Sequence, residues 1–191
     1  MSIDGNFEDL VRSICHHMGV TEKEFMDSWR VGVRELWSAS EIKRHVHDSR
    51  FVLVENTNPR SKTRFPKVKR WECAICKGLF AKAQTELDHV YGENKCTNFS
   101  HAEEFLHSIA LPRSPEYLQI LCKDCHGIKT YSERYKVSFE EAKVRKELVQ
   151  LRKSDTAMIQ RLKGLGVTEI PKTKIAKERL LTELLLAQIG E

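Results

Sequence analysis

The chain has 191 residues, enough for one domain or one core with extensions, and at 40% hydrophobic and 31% charged it reads as a soluble globular protein. No run of about 18 apolar residues occurs, which excludes a membrane-spanning segment. The formal charge of +5 and pI of about 8.9 are compatible with a polyanionic partner but are weak grounds alone.

The start, Met-Ser-Ile-Asp-Gly-Asn, has neither a basic nor an apolar leader region, so the cytoplasm is the expected location. Phe7, Leu10, Val11 and Ile14 recur at helical spacing, and a helix is expected over Phe7 to Met18. Thr21-Glu22-Lys23-Glu24 has the pattern of a capping box and starts a second helix that carries Phe25 and Trp29 inward. Ser38-Ala39-Ser40-Glu41 repeats the pattern ahead of Ile42 and Val46. Phe25, Trp29 and Trp37 read as packing residues. His45 and His47, one residue apart on a helix, point away from each other and read as surface histidines. His16 and His17 are an equally poor metal pair.

Phe51-Val52-Leu53-Val54 is apolar and half β-branched, a short strand. Asn56 to Arg70 holds Arg60, Lys62, Arg64, Lys67, Lys69 and Arg70 with no acid among them. This segment reads as a basic loop or arm, either solvated or suited to phosphate contacts. Trp71 to Phe80 is the expected first knuckle, with Gly78 relieving the turn after Cys76. Thr85 to Val90 reads as a strand ending at Asp88-His89. Ser100-His101-Ala102-Glu103 is a further capping-box pattern, and it places Phe105, Leu106 and Ile109 on a short helix broken by Pro112 and Pro115. A helix is expected to begin over His126 to Tyr135.

Ser138-Phe139-Glu140-Glu141 caps the next helix, with Val144, Leu148 and Leu151 inward. Another runs from about Thr156 to Lys163 and stops near Gly164 or Gly166. Pro171 and Thr173 introduce the last, with Ile175, Leu180, Leu181, Leu184, Leu185 and Ile189. Helix, glycine turn and helix invite a helix-turn-helix reading. Against it, the linker is long, and Lys172, Lys174, Lys177 and Arg179 suit a wet face.

Six cysteines in a cytosolic chain favour metal over disulfides. Cys73 and Cys76 form one C-x-x-C, and Cys122 and Cys125 form another. Two such knuckles bend four thiolates toward one zinc ion at about 2.3 Å. Cys15 and Cys96 have no partner at that spacing and read as free thiols. The insert between the knuckles carries Asp88 and His89 side by side, and His126 directly follows the last cysteine. The arrangement suggests a zinc clip holding a second, catalytic site. Asp88 is a hard oxygen ligand suited to Mg2+ or Mn2+, and His126 is a second candidate ligand. His89 is a histidine, a side chain whose unperturbed pKa is near neutrality, so it can take a proton from an attacking water.

Leu87-Asp88-His89-Val90, followed by Pro-Glu-Tyr-Leu-Gln-Ile-Leu-Cys-Lys-Asp-Cys-His-Gly-Ile-Lys-Thr, resembles the HNH endonuclease motif in its zinc-bearing form. The likeness spans about a third of the chain, from Trp71 to Thr130, and the layout around it is similar to phage-encoded free-standing homing endonucleases. The resemblance implies a ββα-metal fold, one divalent cation and hydrolysis of DNA to a 5′-phosphate and a 3′-hydroxyl. Lys129 then either touches a neighbouring phosphate or lies on the helix surface. Where the family carries asparagine, this chain has Tyr117, whose phenol can donate a hydrogen bond but replaces a metal ligand poorly. Asn94 and Asn98, in the inserted loop, are candidates to take over.

The expected architecture is α+β and mostly helical. It has an N-terminal helical segment over 1–55, a ββα-metal core with its basic arm over 56–137, and a C-terminal helical segment over 138–191 that is a candidate for DNA binding. The expected function is DNA cleavage, nicking or double-stranded, with structural Zn2+ and catalytic Mg2+ or Mn2+. Its rival is a zinc-ribbon DNA-binding protein on a nuclease core that does not cleave.

Overall fold

The computed structural model describes residues 7–91, 96, 98–112 and 114–189. It is an α+β protein, mostly helical, with small antiparallel sheets. Contacts group it into two compact units, Met1–Lys123 and Asp124–Glu191.

The first unit opens with three helices: α1 (Phe7–Met18), α2 (Glu22–Ser38) and α3 (Glu41–Ser49). Val11 and Cys15, one turn apart, bury the inner face of α1, while Leu10 and Ile14 are exposed. The buried stripe is thus rotated from the one that apolar spacing suggested. The side chain of Phe7 lies outside the described residues. Thr21 caps α2 as expected. Its hydroxyl accepts from the Glu24 amide, and the Glu24 carboxylate accepts from the Thr21 amide at 2.9 Å. Met26 and Val33 are fully packed on α2, with Phe25 and Trp29 partly buried beside them. Ser38 closes α2 and Ser40 caps α3, so the second capping pattern is a simple N-cap one residue pair later.

β1 (Val52–Glu55) and β2 (Lys67–Glu72) pair antiparallel, and β3 (Leu79–Phe80) adds to β2. The basic segment is therefore the tip and second strand of a hairpin, not a loose arm. Buried Asn56 staples the tip: its amide donates to the Phe65 carbonyl at 2.8 Å, and its side-chain oxygen accepts from the Asn58 amide.

β4 (Thr85–His89) pairs antiparallel with β5 (Leu118–Cys122), from Thr85 opposite Cys122 to His89 opposite Leu118. α4 (Ala102–Ile109) lies between them in sequence. It is entered through a 3-10 turn, and no side chain caps it, so the third capping pattern is not used. The helix ends before either proline, and Phe105 and Ile109 pack with Met26, Val33 and Cys96. A second cluster, Val46, Trp71, Leu87, Leu118 and Ile120, joins α3 to β2, β4 and β5.

α5 (Lys123–Tyr135) leads into the second unit, followed by α6 (Phe139–Leu151), α7 (Asp155–Gly164) and α8 (Lys174–Ala187). Ser138, Ser154 and Thr173 cap the last three through their hydroxyls. α7 ends in a Schellman turn. Gly166 sits at φ +83°, its amide donates to the Lys163 carbonyl, and the Val167 amide donates to Leu162. Leu148, Leu162, Leu181 and Leu185 form the core of this unit. Ile175, expected inward, is 82% exposed. Lys177, expected on a wet face, is buried, and its ammonium donates to both Asp155 oxygens at 2.7 and 2.6 Å. No helix among the described residues is long and apolar enough to cross a membrane.

Candidate metal centre and the Asp-His strand end

The first knuckle is the tight link between β2 and β3. The Cys73 amide donates to the Gly78 carbonyl and the Lys77 amide to the Cys73 carbonyl, both at 2.9 Å. The left-handed residue is Lys77, at φ 59°, and not Gly78. Gly78 is needed for another reason: a Cβ there would meet the Phe80 ring at 2.7 Å. The Ala74 amide donates to the Ile120 carbonyl at 2.8 Å and fixes the knuckle against β5.

Cys122 ends β5, and Cys125 lies in the first turn of α5. The four Sγ atoms of Cys73, Cys76, Cys122 and Cys125 lie within 4.8 Å of one another, with Cys76 and Cys122 at 4.0 Å. A tetrahedral zinc bound at about 2.3 Å needs sulfurs about 3.8 Å apart, so the set fits a structural metal such as zinc. Burial pushes the Cys73 thiol up, but the amides of Cys122, Cys76 and Ile75 and the Cys76 side chain outweigh it and hold it at about 7. A thiol near that value is substantially thiolate at neutral pH, the form that binds metal. Cys15 and Cys96 are buried free thiols, as expected.

The β4–β5 ladder carries the cysteines at one end and the acid–imidazole pair at the other. Asp88 is three residues beyond Thr85, about 10 Å along the strand. It pairs in register with Gln119, whose side-chain amide donates to Asp88 Oδ2 at 3.3 Å and to the His89 carbonyl at 3.2 Å. His89 Nε2 lies 2.9 Å from the Ile109 carbonyl. A carbonyl only accepts, so Nε2 carries the proton and Nδ1 is the basic nitrogen of the neutral ring. The Trp37 ring lies 4.6 Å from the imidazole, centroid to centroid. Gln119, Trp37 and the Ile109 carbonyl thus hold the pair, and sequence reasoning assigned none of them that part. For Gln119 a signal existed: antiparallel pairing of the two segments puts it opposite Asp88.

Tyr117 closes a 3-10 turn capped by Ser114, and its carbonyl accepts from the Val90 amide at 2.8 Å, extending the ladder. Its ring lies 6.0 Å from that of Tyr91. The bracing by a phenol that the sequence suggested is supplied by this backbone bond and by Gln119. Asn98 accepts from the Ser100 hydroxyl at 2.6 Å within its own turn, and Asn94 lies outside the described residues. His126 is half-buried on α5, its carbonyl accepting from the Thr130 hydroxyl. Lys129 pairs with Glu133 one turn on. Among the described residues no second group of three or more His, Cys, Asp or Glu side chains converges as the cysteines do.

His47 is not a surface histidine. It is half-buried, with Nε2 3.0 Å from the Thr85 hydroxyl, and its carbonyl accepts from Trp71 Nε1 at 2.7 Å. Arg60, Lys62 and Arg64 are exposed at the hairpin tip. Lys67 and Lys69 project outward from β2, Lys69 over the Phe51 ring at 4.0 Å, and Arg70 is half-buried. No family model, no curated protein and no solved structure matches the chain.

Proposed function

We propose that the protein is a metal-dependent DNA endonuclease of the HNH type, with His89 as general base and Asp88 and His126 as ligands of a catalytic Mg2+ or Mn2+. The observation that carries this reading is the setting of His89. Its Nε2 proton is committed to the Ile109 carbonyl and its ring is backed by Trp37, next to a carboxylate steadied by Gln119. A general base needs its ring held in a fixed tautomer and orientation, and the Ile109 carbonyl and Trp37 supply both. The chain order strand β4, strand β5, helix α5 supports the resemblance, as does a cysteine cluster at the strand–helix junction. Two protein ligands suit Mg2+, which keeps several waters and takes phosphate oxygens for the rest.

When bound, the cation supplies Lewis acidity to a phosphate oxygen and to the departing oxygen. His89 Nδ1 takes a proton from water as its oxygen bonds to phosphorus. The bond from phosphorus to O3′ breaks, and O3′ leaves as a hydroxyl after taking a proton from solvent. Gln119 holds Asp88 in place. Arg60, Lys62, Arg64, Lys67, Lys69 and Arg70 supply phosphate contacts to the duplex, and none of them forms an ion pair among the described residues.

Plasmid cleavage with Mg2+ or Mn2+ tests the reading. The native protein is expected to nick or linearise supercoiled DNA. His89→Ala is expected to lose at least about a hundredfold in rate, the lower range for a positioned acid–base group, while retaining its zinc. Intact plasmid with both proteins, under conditions where both bind it, would sink catalysis and leave a zinc-stapled DNA-binding protein.

A further inference from the structure

The second unit contains a concave pocket of about 320 Å³, lined by Gly127, Thr130, Tyr131, Arg134, Tyr135 and Lys146. That volume is at the small end of ligand sites and suits about one nucleotide. Three features of the lining belong together. First, the lining holds no acid, and the acids of α5 and α6 nearest to it in sequence are engaged: Glu133 with Lys129, Glu140 with Lys143, Glu141 with Arg145 and Glu147 with Arg161. Arg134 and Lys146 form no ion pair among the described residues, so the pocket has two cations without a carboxylate. Second, the Tyr131 and Tyr135 rings meet tilted, with centroids 4.3 Å apart and planes at 40°. The Tyr131 hydroxyl is bonded to Arg145, and Tyr135 is half-exposed, so its outer ring face is open. Third, α5 carries glycine at 127, a poor helix former inside a helix. A Cβ there would lie 2.5 Å from Lys146 Nζ, so the glycine leaves the room in which that ammonium sits.

Unneutralised cations beside an open aromatic face in a pocket of this size are the chemistry of phosphate plus base. We propose that this pocket binds one nucleotide of an unpaired nucleic-acid strand, its phosphate on Arg134 and Lys146 and its base stacked on Tyr135. None of these residues belongs to the proposed cleavage site. The pocket stands on its own observations and adds a strand-holding role for the C-terminal unit.

The test uses the full-length protein and a fluorescein-labelled octathymidylate, followed by anisotropy over a range of salt without added divalent cation, so that cleavage plays no part. Arg134→Gln with Lys146→Gln is expected to weaken binding at least about tenfold. It should also lower the slope of log affinity against log salt by about 0.7, one phosphate contact on a single strand. Arg134→Lys with Lys146→Arg should restore both, which separates charge from folding. Tyr135→Ala should weaken binding about fivefold or more at an unchanged salt slope. Unchanged binding in the glutamine and alanine variants would overturn the proposal. So would thymidine monophosphate displacing the octamer at concentrations near the octamer's own Kd, because the site would then be one for free nucleotides. Loss of plasmid cleavage with this binding intact would count against the nuclease reading alone.

Discussion

His47 donates its Nε2 proton to Thr85, because the Thr85 hydroxyl gives its own to the Lys82 carbonyl at 2.9 Å. Both the neutral Nε2–H tautomer and the imidazolium can donate in this way, and the surroundings favour the neutral form. Burial, then the Lys82 ammonium, push its pKa below the usual 6.5, with Asp48 opposing and Lys43 adding to the fall. The unfolded chain then binds more protons than the folded one just below pH 6.5, so stability rises with pH across that window. His47 thus contributes stability that is present above its unfolded pKa and lost as pH falls through its folded value. The thermal midpoint of the native protein should drop between pH 7.5 and 5.5, and His47→Gln, which keeps a donor for Thr85, should flatten that drop. An equally steep drop in the variant would assign the effect to another group. The histidine was misread from sequence for a plain reason. A spacing of two shows that His45 and His47 diverge, but not that one of them meets a strand 38 residues away.

Among the helices of the C-terminal unit, α7 and α8 are tied by a charge as well as by leucines. Asp155, in the first turn of α7, holds the buried Lys177 of α8. Asp155→Ala would leave an ammonium in the interior without its carboxylate. A fully buried pair broken in this way loses about 3–5 kcal/mol. The Asp155 side chain is half-exposed, so screening reduces the expected loss to about 1–3 kcal/mol. Lys177→Met, which removes the charge together with the need for a partner, should cost less than Asp155→Ala in urea unfolding followed by circular dichroism. The reverse order would mean that the pair contributes net stability of its own. What was legible at this level followed from local chemistry: the caps at Thr21, Ser138 and Thr173, the glycine stop of α7, and both cysteine pairs. What was not legible depended on distant partners. A lysine among lysines looks solvated until Asp155 is set against it, and an exposed isoleucine at 175 has the same spacing as a buried one. Gly78 was recognised as necessary, but the turn falls on Lys77 and the glycine yields to the Phe80 ring.

Over the whole molecule, a net charge of +5 says less than where the opposite charges cancel. Many of the ion pairs are within one helix, such as Arg12 with Glu8, Lys23 with Asp27 and Arg145 with Glu141. In the hairpin of β1 and β2, six cations follow one another from Arg60 to Arg70 without an acid between them. Its tip is also held in shape, by Asn56, so Arg60, Lys62 and Arg64 project from an ordered turn. Ordered cations lose less freedom on meeting phosphates than cations on a loose arm, so under the proposed function this hairpin is the expected duplex contact. Replacing Arg60, Lys62 and Arg64 with glutamine removes three such contacts without touching the Asn56 staple, the cysteines or the Asp-His pair. For duplex DNA the slope of log affinity against log salt should then fall by about 2.7, roughly 0.9 per contact. Zinc content and circular dichroism should not change. An unaltered slope would mean that these side chains face only solvent, and the duplex would have to be held elsewhere. If the slope does fall, the same variant read with the single-stranded octamer tells the two cationic regions apart. Losses confined to the duplex would mark the hairpin as the duplex clamp and leave the pocket of the C-terminal unit as the holder of the displaced strand.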